Sequence, residues 1–147
     1  MNWLFNSDKF DFKGNEKESL SWEQARNFLG RIDDRIIFFR NSGGIKAFIS
    51  LYTITNISSE PFKFNNLSES RIRIQFELIL KEKYSEPKEF SNYIYSFQRV
   101  KYFEKYLYRH FNKRYYRLSV LEFNAINDDK IFVSRTVLGI GLNALQI

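Results

Sequence analysis

The 147-residue sequence contains no cysteine. That excludes disulfides, thiolate zinc sites and thiol nucleophiles, and it suits a reducing, cytoplasmic setting. His110 is the single histidine, so a His-based metal site or a Ser-His-Asp triad rests on one residue. No apolar run reaches about 18 residues, so no helix is expected to span a membrane. The first residues lack the charged, apolar, small-residue order of a signal peptide. No Gly-Lys-Ser phosphate loop occurs, and the lone Gly-x-Gly at Gly139 and Gly141 is very weak evidence for one. Neither an internal repeat nor a low-complexity linker interrupts the chain, and a single domain over 1–147 is expected.

What is abundant is aromatic. Sixteen Phe, nine Tyr and two Trp exceed what a core of this size needs, which points to a binding face or cleft. The charge is localised. Between Arg99 and Arg117 seven basic residues stand against Glu104 alone, which accounts for the whole net charge of +6. Such a stripe suits an anionic partner, with a solvated helix face as the plain alternative. Basic side chains interleaved with Tyr102, Tyr106, Tyr108, Tyr115 and Tyr116 can grip phosphates while rings stack on bases.

The stretch 34–57 organises the rest. Ile36, Ile37, Phe38 and Phe39 run without a polar break, which marks a strand covered on both faces. Asn41-Ser42-Gly43-Gly44 can turn the chain. The return strand alternates, with Ile45, Ala47, Ile49 and Leu51 on one side and Lys46, Phe48, Ser50 and Tyr52 on the other. A hairpin apolar on both sides belongs in the middle of a curved sheet or small barrel.

Before it, residues 2–5 read as a short strand broken by Asn6-Ser7-Asp8. Ser21 and Gln24 have the spacing of a capping box, which predicts a helix over 22–29 that stops at Gly30. Residues 58–70 read as a loop. Residues 71–83 alternate, with Ile72, Ile74, Phe76, Leu78 and Leu80 facing one side and Arg71, Arg73, Gln75 and Glu77 the other. Residues 84–92 read as a loop, and 96–111 as a helix with an apolar and a basic row. Ser119 and Glu122 form a second capping box that opens a helix to about Ile126. Residues 131–137 are β-prone.

Little here suggests an enzyme. Asp33-Asp34 and Asp128-Asp129 are adjacent pairs whose side chains point apart on a strand, and turn or capping roles suit them better than acid-base work. Glu77 near Lys81 and Lys83 lacks a matching upstream Asp for a metal-dependent nuclease. No metal site and no cofactor is expected.

The order of segments resembles the EVE domain of the PUA-like superfamily, akin to the YTH domain. Residues 32–39, Ile-Asp-Asp-Arg-Ile-Ile-Phe-Phe, are similar to its Gly-Asp-Arg strand, with Asp33 in place of the usual Gly and Phe39 in place of the usual Tyr. Tyr116-Arg117-Leu118-Ser119, with Glu122, Phe123 and Ile126, is similar to its closing motif. The resemblance spans about 2–126; residues 127–147 form an additional strand or tail.

The resemblance implies an α+β fold, a small curved-sheet barrel with short helices at its rim. It implies an aromatic cage for one flipped, methylated base, DNA favoured over RNA. Its base-binding candidates are Trp22, Ser21, Phe5, Asn6, Ser7, Phe39, Arg40 and Tyr116. Lys113 and Arg114 precede the closing motif, and with Arg99, Lys101, Lys105 and Arg109 of the basic stripe they are the phosphate-binding candidates. Such a non-enzymatic reader would be the targeting domain of a modification-dependent restriction system, beside a nuclease or GTPase subunit or domain. The alternatives are a general single-strand or RNA-binding PUA-like module, in which Trp22 is a core residue, and a nuclease or base-processing enzyme.

Overall fold

Apolar alternation makes the first half of the chain extended. The computed structural model describes residues 1–24, 28–42, 45–63, 70–93 and 114–128. Its strands are β1 (Asn2–Asn6), β2 (Lys17–Gln24), β3 (Arg35–Ser42), β4 (Ile45–Lys63), β5 (Ser70–Glu89) and β6 (Tyr115–Leu118). They form one sheet in the order β2-β5-β4-β3-β1-β6. All pairs are antiparallel except β1 with β3. A 3₁₀ turn follows β1 (Ser7–Lys9), another follows β5 (Phe90–Asn92), and helix α1 (Val120–Asn127) closes the described chain. The architecture is mostly β, a curved sheet with one α-helix among the described residues, a coarser outcome than the expected α+β barrel with short helices at its rim.

The expected hairpin lies at the centre of the sheet. Its β3 strand sends Ile36 and Phe38 to one face and Ile37 and Phe39 to the other, all 2% exposed or less. Strand β5 keeps its predicted apolar row: Ile72, Ile74, Phe76, Leu78 and Leu80 share one cluster. The alternation along β4 is altered. Phe48 and Tyr52, expected together, lie in opposite clusters. The cause is the register shift between Phe48 and Ser50, where Ile49 is an extra residue on β4 opposite β3. That one bulge reverses the parity of the side chains beyond it and bends the strand.

Three other expectations are corrected. Residues 58–63 and 84–89 are not loops but extensions of β4 and β5, and Pro87 is accommodated near a strand end. Tyr115–Leu118, for which no element was expected, forms β6 against β1. The helix expected over 22–29 is instead the end of β2, since Ser21, Trp22, Glu23 and Gln24 pair with Gln75, Ile74, Arg73 and Ile72. There the amides find cross-strand partners, and Leu20 and Trp22 point inward at a spacing of two. The expected elements at 96–111 and 131–137 lie outside the described residues.

The sheet curls until its edges approach. Trp22 on edge strand β2 and Tyr115 on edge strand β6 come within 5.8 Å, ring centre to ring centre. No ladder joins β2 to β6 among the described residues, so the barrel is unclosed and rings bridge the seam. Inside the curl sit Trp3, Phe5, Leu20, Trp22, Phe28, Phe38, Tyr52 and Phe76. Burial and the nearby Glu18 charge push the Tyr52 phenol up to about 12, and its hydroxyl donates to the Asn15 carbonyl at 2.5 Å. The outer face is covered by α1 and the second 3₁₀ turn, through Phe90, Tyr93, Phe123 and Ile126. The capping box of α1 forms as predicted, with Glu122 N donating to Ser119 Oγ at 3.1 Å and Ser119 N donating to Glu122 Oε1 at 2.9 Å. At the other end of α1, Lys88 Nζ donates to the Ile126 carbonyl at 2.6 Å.

The Asp33-Asp34 pair is structural. Asp33 has φ 73°, in the left-handed region that favours glycine. Asp33→Val should lower stability by about 1–2 kcal/mol, because a β-branched side chain is strained at positive φ. Asp33→Gly should not. Urea unfolding of the two variants separates these outcomes, and equal losses would mean that the backbone here is unstrained.

Candidate functional site

The seam between β2 and β6 holds a hollow of about 310 Å³, lined by Ser21, Trp22, Glu23, Arg71, Arg73 and Arg114. Its volume is at the lower end of ligand pockets, which run from roughly 300 to 1,000 Å³. Each wall follows from strand geometry. Ser21 and Glu23 point away from the core because Leu20 and Trp22 point into it. Arg71 and Arg73 are the outward residues of β5 beside them. Arg114 enters from the residue before β6, held by its carbonyl accepting from the Asn6 amide at 2.9 Å. Its guanidinium carbon stands 5.9 Å from the centre of the Phe10 ring.

Three arginines face one acid, so the hollow is electropositive. Arg73 donates to Glu23 at 3.1 Å and to Glu60 at 3.4 Å, and these contacts fix its fork at the rim. Both pairs are substantially exposed and contribute little to stability. Such a wall of guanidinium groups beside a hydroxyl suits a phosphate or carboxylate.

Trp22 forms the apolar side of the hollow but belongs mostly to the core. It is 5% exposed and meets Phe5, Phe10, Phe28, Phe76 and Tyr115, with ring centres 4.7–6.1 Å away. Its indole Nε1 donates to Gln24 Oε1 at 2.9 Å. Of the predicted site residues, the structure brings together Ser21, Trp22 and Arg114. The others are elsewhere. Phe5 is fully buried inside the curl, where its ring packs on Phe10 and Trp22 and cannot form a pocket wall. Asn6 caps the first 3₁₀ turn by accepting from the Asp8 amide, and Ser7 Oγ donates to the Phe39 carbonyl at 3.0 Å. Phe39 lies in the outer cluster and Arg40 is exposed on β3.

Tyr116 packs toward Glu122 and lines a different hollow, of about 460 Å³, with Met1, Asn2 and the start of α1. Arg99, Lys101, Lys105, Arg109 and Lys113 lie outside the described residues. Sequence reading missed Arg71, Arg73 and Gln24. The two arginines stand at i and i+2 on the polar side of a strand, which was signal enough to place them on one surface. No such signal exists for Gln24, whose role depends on the indole two residues earlier.

Asp34 sits apart from this hollow. It is 7% exposed and accepts from the Met1 amino group at 3.0 Å, from Trp3 Nε1 at 3.0 Å and from the Arg31 amide at 2.9 Å. Burial pushes its carboxyl up, but the bonds from Trp3, Arg31 and the amino group outweigh that and hold it below the usual value. Among the described residues no three His, Asp or Glu side chains cluster as metal ligands. None of the described helices is long and apolar enough to cross a membrane.

No family model matches the chain, and no curated protein matches its sequence. Solved structures do. A hypothetical protein from Leishmania major is 13% identical with a TM-score of 0.59, over 87% of this chain and 92% of its own. The DUF55 domain of human thymocyte nuclear protein 1 is also 13% identical, with a TM-score of 0.57 over 87% of this chain and 97% of its own. A protein from Pseudomonas putida, 9% identical with a TM-score of 0.50, covers 86% of this chain and 97% of its own. At these identities the likeness concerns the fold alone.

Proposed function

We propose that this PUA-like chain is a nucleic-acid-binding module that grips the sugar-phosphate backbone at the β2–β6 seam. The observation that carries this reading is the convergence of Arg71, Arg73 and Arg114 with Ser21 and the Trp22 edge on one hollow. Guanidinium forks match phosphate oxygens, and the localised charge of the sequence gives the same partner chemistry. The module acts as a reader with no catalytic residues of its own, serving a nuclease or GTPase subunit or domain.

The EVE-like motifs support the finer reading: a flipped, methylated base, in DNA rather than RNA, as the target of a restriction system. A specific observation favours the plainer reading, a single-strand binder without modified-base selectivity. Trp22 is held by five rings and a hydrogen bond, so it is not an open cage wall.

Titration of labelled single-stranded oligonucleotides across a salt series tests both. Binding should weaken linearly with log salt, and Arg71→Ala with Arg114→Ala should lower that slope by about 0.7 for each lost phosphate contact. An unchanged slope in the double variant would remove the seam from the interface. Matched oligonucleotides with and without N6-methyladenine or 5-methylcytosine decide between the two readings. Tighter binding of the methylated strand supports the base reader, and equal binding leaves the plain binder.

A further inference from the structure

Strand β4 has two sides, and one of them is open over its second half. Toward β5 it is paired from Ala47 to Lys63. Toward β3 the ladder runs only from Ile45 to Thr53. Two further bonds close it: Asp33 N donates to the Ile54 carbonyl at 2.9 Å, and Ile54 N donates to the Asp34 carbonyl at 2.9 Å. The chain turns there, with Asp34 N donating to the Arg31 carbonyl at 3.1 Å. Beyond Ile54 no described residue pairs with β4 on that side, so 55–63 is a sheet edge. Asn56, Ser58, Ser59, Glu60 and Pro61 are all exposed along it.

The alternation of the strand decides which main-chain groups face outward. Thr55 is an extra residue opposite β5, and its hydroxyl donates to the Glu77 carbonyl at 3.1 Å. From Asn56 to Lys63 the register is unbroken. Pro61 has no N–H to give β5, and a proline within a sheet keeps its nitrogen on the free side. Ser59 and Ile57, two and four residues earlier, therefore turn their N–H and C=O groups to the same free side. Edge strands are ordinarily protected by charge or by a covering segment. Here Thr55, Asn56, Ile57, Ser58 and Ser59 carry no charge.

We infer that this edge pairs with the same edge of a second copy of the chain, antiparallel about a twofold axis at Ser59. The open stretch runs from 55 to 63 and Ser59 is its midpoint. A copy laid antiparallel about that point covers the whole stretch and stops where β3 begins. Ser59 then exchanges both its main-chain bonds with Ser59 of the second copy, and Ile57 N donates to the Pro61 carbonyl of the second copy. Each proline leaves one Ile57 carbonyl unpaired. Charge fits the same register: Glu60 falls opposite Ser58 and Lys63 opposite Thr55, so no two like charges meet. A contact of one patch with itself closes on two copies and does not propagate into fibres. It is short, so the dimer is weak and forms at about 0.1–1 mM. Such pairing is independent of any nucleic-acid binding.

The chain has no cysteine, so a single introduced thiol reports the register. Cα atoms opposite each other in a hydrogen-bonded pair are about 5.5 Å apart, inside the range of about 4.4–6.8 Å that a disulfide bridges. Under mild oxidation Ser59→Cys should form a linked dimer about tenfold faster than Asn56→Cys, which falls opposite position 62 of the other copy. Sedimentation of the unmodified chain should show its mass rising from monomer to dimer with concentration. Ser59→Pro removes the central donor, leaves the β5 ladder alone and should weaken association about tenfold or more. Ser59→Lys sets two ammonium groups against each other on the axis and serves if the proline variant does not fold. A chain that stays monomeric, equal linking rates at 56 and 59, or association unchanged by either variant would overturn the inference. An edge that instead takes an extended peptide of another protein would give those same negative results.

Discussion

Replacing Asp34 by alanine should cost about 3–5 kcal/mol, because three donors lose one buried acceptor together. The Trp3 indole nitrogen and the Arg31 amide would be left without that partner, and the Met1 amino group would lose its ion pair. Against a typical stability of roughly 5–15 kcal/mol, the variant would be marginal at room temperature. Asp34→Asn keeps the shape and one acceptor and should cost clearly less. Denaturant melts of the two variants check this. Losses below about 1 kcal/mol for the alanine variant would mean that water replaces the carboxylate at little cost.

The same site sets an acid limit. The folded-state pKa of Asp34 lies below its unfolded value of 3.8. The unfolded chain therefore takes up the proton first as pH falls. The stabilisation is complete above the unfolded value and is lost as pH falls through the folded one. Asp34→Asn should flatten this part of the acid profile.

Trp22→Ala is the second large effect, about 3–5 kcal/mol of lost stability, as for other buried Trp and Phe truncations. The indole touches five rings and orients Gln24, so its removal opens a void and frees an amide atom. Trp22→Phe keeps most of the packing and should lose less than half as much. Thermal melts with the two variants rank them. A stable Trp22→Ala protein that only loses ligand would show the indole to be a surface group instead. Binding assays on Trp22→Ala need a folding control, since instability alone would lower the apparent affinity.

The centre of the sheet was legible because its signals are local and strong. The unbroken run Ile36–Phe39 gave a strand covered on both faces, and the row from Ile72 to Leu80 gave its neighbour. The Ser119 cap was readable because Ser, Glu and the apolar positions fall at helical spacing within one short stretch. Residues 21–24 misled for the opposite reason. Their capping-box spacing is real in the sequence, but Leu20 and Trp22 also fit a spacing of two, and pairing with β5 decided between them. The bulge at Ile49 in β4 left no mark in the composition, so the face of Phe48 could not be read. The hollow needed tertiary contact: nothing local relates Ser21, Arg71 and Arg114, which are separated by tens of residues and meet only when the sheet curls.

That curl has a mechanical consequence. Along the line where β2 faces β6, cohesion among the described residues comes from ring against ring, each contact worth about 0.5–1.5 kcal/mol beyond its area. Elsewhere adjacent strands are stitched by main-chain bonds. The molecule thus has a grain: the two margins can part by sliding aromatic faces while the four strands between them stay in register, and breathing motions are channelled into one direction.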